Sequence, residues 1–215
     1  MDQQLLFLIN REWTSAVLDW CMASASSIDA WAPILVVLFL FLFVKGGFNV
    51  RAFIITAALV VAVNDGIVSN SLKHLVDRPR PHQALDNVRM VDLAKARPRL
   101  LALFQPAHVT TSHAALGDVE GRSFPSAHTM NCFSVALVAL CFFGKRAAWG
   151  FALAVLVAYS RIYTGAHWPS DVVTSIFLAF GSTLLLMALA ERLWQRAGRR
   201  AFPGIHARHP SLLAT

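Results

Sequence analysis

The chain is poor in charge: Asp, Glu, Lys and Arg make up 14% of its 215 residues, against about 25% in an ordinary soluble domain. Too few charged groups are present to cover a water-exposed surface. Cysteine is scarce, with Cys21, Cys132 and Cys141 alone. None shows metal-ligand spacing. An odd number beside apolar stretches reads as reduced packing residues and excludes a disulfide framework. Acidic side chains are outnumbered, 12 against 19 Lys and Arg, for a formal net charge of +7. The basic residues sit between apolar runs, not on one soluble face. They fit anionic lipid headgroups and phosphate better than nucleic acid. No cleavable leader is read, because the apolar run 5–9 is short and Arg11 and Glu12 interrupt it. No internal repeat or low-complexity tract is present.

Apolar residues are abundant, at 56% of the chain, and the mean hydropathy is +0.54. A bilayer crossing needs roughly 20 mostly apolar residues. Five runs approach that length, at residues 31–44, 52–72, 126–143, 147–163 and 172–193. Residues 5–28 mix Leu5, Leu6, Phe7, Trp13 and Trp20 with Arg11, Glu12 and Asp19. They read as an amphipathic helix in the membrane interface or as a poor first span. The expectation is an all-α, polytopic membrane bundle of five to six transmembrane helices, forming one domain over 1–215.

One polar loop is long, at 77–123, and carries Pro79, Pro81, Pro98 and Pro106. Loops of that length are usually functional or disordered. A basic tail at 196–215, with Arg196, Arg199, Arg200 and Arg208, reads as frayed or lying on lipid. The positive-inside rule places the tail, the turn from Lys45 to Arg51 and the Lys145–Arg146 turn in the cytoplasm. The long loop then faces outward. Its basic excess runs against the rule, partly offset by Asp77, Asp86, Asp92, Asp118 and Glu120.

Three motifs fall at span boundaries on that outer side. The first is Lys73-His-Leu-Val-Asp-Arg78-Pro79-Arg80-Pro81. Snorkelling to headgroups is the ordinary role of such residues. A guanidinium fork and a compact ammonium also suit a tetrahedral phosphate. The second is Phe124-Pro125-Ser126-Ala127-His128, at the start of the third run. Pro and Ser there are ordinary capping residues, but a helix start is also an anion site. The third is Ser160-Arg161, then His167-Trp168-Pro169-Ser170-Asp171. Its plain reading is a His–Asp helix cap. Its chemical reading is a carboxylate reaching the imidazole across a turn, fixing its tautomer and sharpening it as a nucleophile.

In this order the motifs resemble the signature of the type-2 phosphatidic acid phosphatase superfamily, integral membrane lipid phosphatases with a vanadium-haloperoxidase-like core. Lys73 and Arg80-Pro81 match its first part. Pro125, Ser126 and His128 match the second, and Ser160, Arg161, His167 and Asp171 the third. The resemblance covers roughly residues 52–193, and Ala127 stands where many relatives have Gly. It implies that His167 attacks phosphorus, that Asp171 orients it, and that His128 protonates the leaving oxygen and then activates water. Lys73, Arg80, Arg161, Ser126 and the backbone at Ala127 would hold the phosphate oxygens, with no metal and no cofactor.

The expected function is removal of phosphate from a membrane lipid on the outer face of a bacterial inner membrane. Undecaprenyl pyrophosphate comes first, followed by phosphatidylglycerophosphate, phosphatidate and the lipid A 1-phosphate. A haloperoxidase-like enzyme shares the cage but is soluble. A non-catalytic lipid transporter shares the spans but has no use for the His–Asp–His set. Asn64 and Asp65 lie within the second run, where a polar contact between helices is expected, with Asn131 as the partner of Asn64.

Overall fold

A computed structural model describes residues 1–114 and 122–213; Asp118 and Glu120 lie outside the described residues. Among the described residues, four helices are long and apolar enough to cross a bilayer: Ile28–Lys45, Phe48–Ala84, Ala127–Ala147 and Pro169–Ala201. A shorter apolar helix, Gly150–Tyr163, lies between the last two. The expected all-α membrane bundle is present, with four helices of full spanning length and one shorter apolar helix among the described residues.

The chain begins with α1 (Asp2–Phe7), which runs into a π-helical turn (Leu8–Glu12), and α2 (Ala16–Ser26). Residues 5–28 are therefore not one helix. Ser15 starts α2 afresh, its hydroxyl accepting the Leu18 N–H at 3.2 Å. The long apolar α3 (Ile28–Lys45) follows, and then α4 (Phe48–Val63). A π-helical turn (Asn64–Ser69) joins α4 to α5 (Asn70–Val76), which stops at Asp77 in the left-handed conformation. The core helices are α7 (Ala127–Phe143), α8 (Gly150–Tyr163) and α9 (Pro169–Leu193).

The long outer loop is more ordered than its composition implies. It holds the short α6 (Pro81–Ala84) and an antiparallel hairpin of β1 (Arg89–Leu93) and β2 (Ala107–Thr111). A 3-10 segment (Arg99–Phe104) lies between the strands. The first segment and the hairpin are tied together through Asn10, which is fully buried. Its amide donates to the Tyr163 carbonyl at 2.6 Å and the Arg89 carbonyl at 2.8 Å, and accepts the Arg89 N–H at 2.9 Å. Arg89 in turn forks onto both oxygens of Asp19 at 2.8 Å.

The tail departs from the expectation of a frayed end. Residues after α9 form a π-helical turn (Trp194–Gly198), α10 (Arg199–Ala201) and α11 (Pro203–Arg208). They fold back on the bundle: the Trp194 indole donates to the His209 carbonyl at 2.8 Å, and the His209 ring stacks on Phe48 at 4.4 Å.

The span polar residue has a different partner from the one expected. Asn64 is fully buried and its Nδ2 donates to Ser134 Oγ at 2.8 Å, so Ser134 and not Asn131 meets it. Ser134 lies one helical turn deeper on α7 than Asn131. Asp65, one residue on, faces outward and is exposed.

Candidate functional site

The three motifs converge on the loop between α8 and α9. This loop must turn tightly against the hairpin. Gly165 has φ +70°, and a Cβ there would lie 2.6 Å from the Arg89 carbonyl oxygen and 2.7 Å from Val88. Only glycine fits both the conformation and the close approach. The turn is closed by the N–H groups of Ala166 and His167, both donating to the Arg161 carbonyl at 3.1 Å. His82, on α6, adds an Nδ1 contact of 3.1 Å to the Gly165 carbonyl.

His167 is buried, at 3% exposure, and its Nδ1 lies 2.6 Å from the Ser123 carbonyl oxygen. A carbonyl can only accept, so Nδ1 carries the proton and Nε2 is left with the lone pair. Burial, then the charges of Arg161 and Arg80 with a smaller push from His128, hold this ring well below the usual imidazole range; the Ser123 carbonyl works weakly the other way. A neutral ring with a free Nε2 among cations is the form a nucleophile needs.

Asp171 does not occupy the position expected of it. Its carboxylate is fully buried, and it bonds Arg78, Ser123 and the backbone instead of the His167 ring. Arg78 Nη1 donates to Oδ1 at 2.6 Å; the Ser123 hydroxyl donates to Oδ2 at 2.5 Å, and the Trp168 N–H caps the helix start onto Oδ2 at 3.2 Å. The link from Asp171 to His167 therefore runs through one residue. Ser123 gives its hydroxyl to the carboxylate and its carbonyl to the imidazole. The physical reason is local: Asp171 is drawn into the first turn of α9 as an N-terminal cap, and the Ser123 loop fills the space between.

Arg78 anchors this arrangement from the other side. Its backbone carbonyl accepts the N–H groups of Arg122 and Ser123 at 2.9 and 2.8 Å. Its guanidinium also reaches Asp2 at 2.7 Å. Asp2 accepts the Ser170 N–H and hydroxyl at 2.9 and 2.6 Å. Burial opposes charge on Asp2, but the Ser170 bonds and Arg78 outweigh it and hold the carboxyl below its usual value.

Lys73, Arg80 and Arg161 lie near enough to His128 to act on it electrostatically. Arg161 donates to the hydroxyl of Ser26, while its Nε has no partner among the described residues. Ser126 is at the α7 start but fully buried, and its side chain makes no cap bond. Its N–H donates to Ser175 Oγ at 2.8 Å, and its Oγ accepts from Thr129 at 3.0 Å. Ala127 and His128 are half-buried beside it. Among the described residues, no group of three or more His, Cys, Asp or Glu side chains is gathered to hold a metal.

Sequence reasoning missed Ser123, Arg78, Asp2 and Ser26. Ser123 and Arg78 stand beside residues of the motifs, so adjacency was an available signal. Asp2 and Ser26 belong to a segment whose approach to the site has no local pattern.

Cationic groups gathered around a neutral buried histidine, at one end of a membrane helix bundle, define a class: membrane proteins that bind phosphate at the bilayer boundary. The chain belongs to the PAP2 superfamily, whose family model matches residues 53–195. It is 26% identical over 201 residues to the lipid A 4'-phosphatase of Bacteroides thetaiotaomicron, covering 91% of this chain and 80% of that protein. It is 30% identical over 98 residues to the undecaprenyl-diphosphatase BcrC of Bacillus subtilis, covering 43% of this chain and 49% of that one. The crystal structure of Aquifex aeolicus LpxE shares its fold, with a TM-score of 0.61 and 24% identity over 87% of this chain and 94% of that chain.

Proposed function

We propose that this PAP2-type membrane phosphatase hydrolyses a lipid phosphate or pyrophosphate by forming a phosphohistidine on His167 Nε2. The observation that carries the reading is the 2.6 Å contact of His167 Nδ1 with the Ser123 carbonyl, which leaves Nε2 unprotonated. Lys73, Arg80 and Arg161, with Ser126 and the backbone at Ala127, hold the phosphate oxygens. Nε2 attacks phosphorus in line, and the bond to the leaving oxygen breaks as His128 gives it a proton. Water, deprotonated by His128, then attacks the phosphohistidine, releasing phosphate and restoring the neutral ring. Asp171 stabilises the charge that develops on His167 through Ser123, without touching the ring. Catalysis of this kind is mainly positioning and charge stabilisation, and the cage supplies both without a metal.

The substrate class is a membrane lipid carrying phosphate. Undecaprenyl pyrophosphate and a lipid A phosphate are favoured over phosphatidylglycerophosphate and phosphatidate by the named activities of the relatives. The site faces the periplasm or exterior of a bacterial inner membrane, with Lys45, Arg51, Lys145, Arg146 and the folded tail on the cytoplasmic side. Labelling of a single Cys in the tail by an impermeant reagent on intact cells would reverse that orientation. The mechanism is tested by trapping label from an aryl phosphate substrate. A phosphohistidine is lost in acid and survives base, and label that survives acid would rule it out.

A further inference from the structure

On the lipid-facing side, α3 is an isolated apolar helix: 6% of its spanning window is buried. It packs against the 3-10 segment Arg99–Phe104. Between them runs a groove of about 530 Å³ lined by Pro33, Ile34, Val37, Leu38, Phe41 and Leu100, all apolar. The next residue up from Leu100 is Arg99, which with Lys95, Ala96 and Arg97 lines a second depression of about 450 Å³. An apolar groove beside a depression lined by three basic side chains has the charge pattern of a lipid with an anionic head.

The start of α3 ties this surface to the phosphate cage. Ser26, just before α3, takes the Arg161 guanidinium. Asp29, in the first turn of α3, pairs with Arg99 at 2.7 Å. From Asp29 to Phe41 the helix rises about 18 Å at about 1.5 Å per residue, enough for roughly a dozen or more methylenes. Arg99 is held by Asp29 and by the Ala94 carbonyl. Lys95 and Arg97 are exposed and make no ion pair among the described residues. Snorkelling would explain one such residue. It does not explain two of them beside an arginine fixed on the first turn of α3.

We propose that α3 and the β1–β2 loop seat the substrate lipid: one hydrocarbon chain lies along the α3 groove, and Lys95 and Arg97 hold a second anionic group on the same head, apart from the phosphate being cleaved. This rests on the phosphatase reading and narrows it to lipids whose head carries separated negative charges. Val37→Trp fills the groove, and Lys95→Gln with Arg97→Gln removes the basic flank. None of these residues belongs to the catalytic cage.

The test compares a long-chain lipid phosphate bearing a second phosphate, its single-phosphate counterpart, a short-chain analogue and an aryl phosphate, all in mixed micelles. Val37→Trp should raise KM about tenfold for both long-chain lipids, the effect of displacing roughly two methylenes. It should leave the short-chain and aryl substrates unchanged. The double Gln variant should raise KM only for the doubly charged lipid, and added salt should mimic it. Equal loss on all four substrates, or no loss on any, overturns the seat and leaves α3 meeting bulk lipid only. A second readout separates the two readings: binding of the long-chain lipid to His167→Ala protein, with and without Val37→Trp. Groove-sensitive binding with no phosphate release by the wild-type chain would uphold the seat and sink the phosphatase reading. Binding indifferent to Val37→Trp would sink the seat even if turnover is normal.

Discussion

The first turn of α9 and the middle of α3 are both helix in the same bundle, yet they are built on opposite terms. In α9, Asp171 and Ser175 are fully buried, and the Asp171 carboxylate is bonded by Arg78, Ser123 and the Trp168 N–H, all before the helix. In α3, Val37, Leu40 and Phe41 are more than half exposed and make no polar contact. Hydrocarbon solvates α3, so to fold its sequence needs only length and apolarity. No such solvent exists for a buried carboxylate. It must be satisfied by named donors brought from positions 78, 123 and 168. Folding should therefore tolerate apolar substitutions along α3 and suffer from changes around Asp171, and the sharpest tests lie where that contrast could fail.

The largest effect is expected at the centre. His167→Ala should abolish phosphate release from every substrate, because no other group is placed to form the covalent intermediate. His128→Ala should be selective. General acid help is worth roughly 10²–10⁴-fold and matters most for a poor leaving group. The loss should fall on the lipid alkoxide and largely spare an aryl phosphate, with phosphoenzyme accumulating on the latter. Equal losses on both, read from steady-state rates, would remove the acid role from His128.

Next comes the relay. Ser123→Ala keeps the carbonyl on His167 but removes the 2.5 Å hydroxyl bond to Asp171. Hydrogen bonds to charged groups contribute about 1.5–3 kcal/mol, so kcat should fall by about 10–100-fold with KM nearly unchanged. Ser123→Thr, which keeps a hydroxyl, should restore much of the rate. Arg78→Ala should cost at least as much, since it leaves Asp171 and Asp2 without their shared cation. A KM effect without a kcat effect in Ser123→Ala would place Ser123 in substrate binding and break the relay.

The contrast also explains what could be read from sequence. The span helices were legible because the bilayer demands long apolar runs, and the observed boundaries at Ile28, Ala127 and Pro169 lie within a few residues of those expected. The motifs were legible because phosphate chemistry restricts residue types at close spacing. The Asp171–Ser123–His167 geometry was not legible. Sequence spacing allows Asp171 to reach either the ring or its own helix N-terminus, and the choice is made by Ser123, 48 residues away in sequence. The hairpin was hidden in the same way. Arg89-Met-Val-Asp-Leu is too short and mixed to announce a strand, and what holds it is Asn10. The folded tail depends on Trp194 and His209 meeting Phe48, a contact with no local signature.

A smaller effect should appear in acid. The folded His167 has a pKa below its value in the unfolded chain, about 6.5. Between the two values the unfolded chain binds a proton that the native protein does not. Native stability is therefore unaffected above that range and falls as pH drops below about 6.5, by at most about 1.4 kcal/mol per pH unit from this group. His167→Gln should flatten that part of the acid limb in a thermal-unfolding series in detergent. An unchanged limb would mean that the ring is protonated in the folded state.

The smallest effect is expected at a buried polar pair that joins two spans, Asn64 and Ser134. It resembles the site in being buried and polar, and the lipid-facing helices in lying within a span. Asn64 Oδ1 has no side-chain or backbone partner among the described residues, so the amide makes a single bond, to Ser134. Interhelical bonds of this kind contribute about 0.6 kcal/mol on average within membranes. Ser134→Ala removes that bond and leaves the Asn64 amide wholly unpaired, so it should cost somewhat more, about 1 kcal/mol. Asn64→Leu together with Ser134→Ala removes both polar groups and should return the stability close to that of the parent, because an apolar pair has nothing left to satisfy. Neither change should alter kcat or KM. A double-mutant cycle on thermal stability, run beside phosphate-release assays, decides the matter. If the double variant is as stable as the parent but catalytically impaired, the pair belongs with Asp171 and not with the packing of the spans, and the division between a lipid-solvated bundle and a polar site would have to be moved inward to include it.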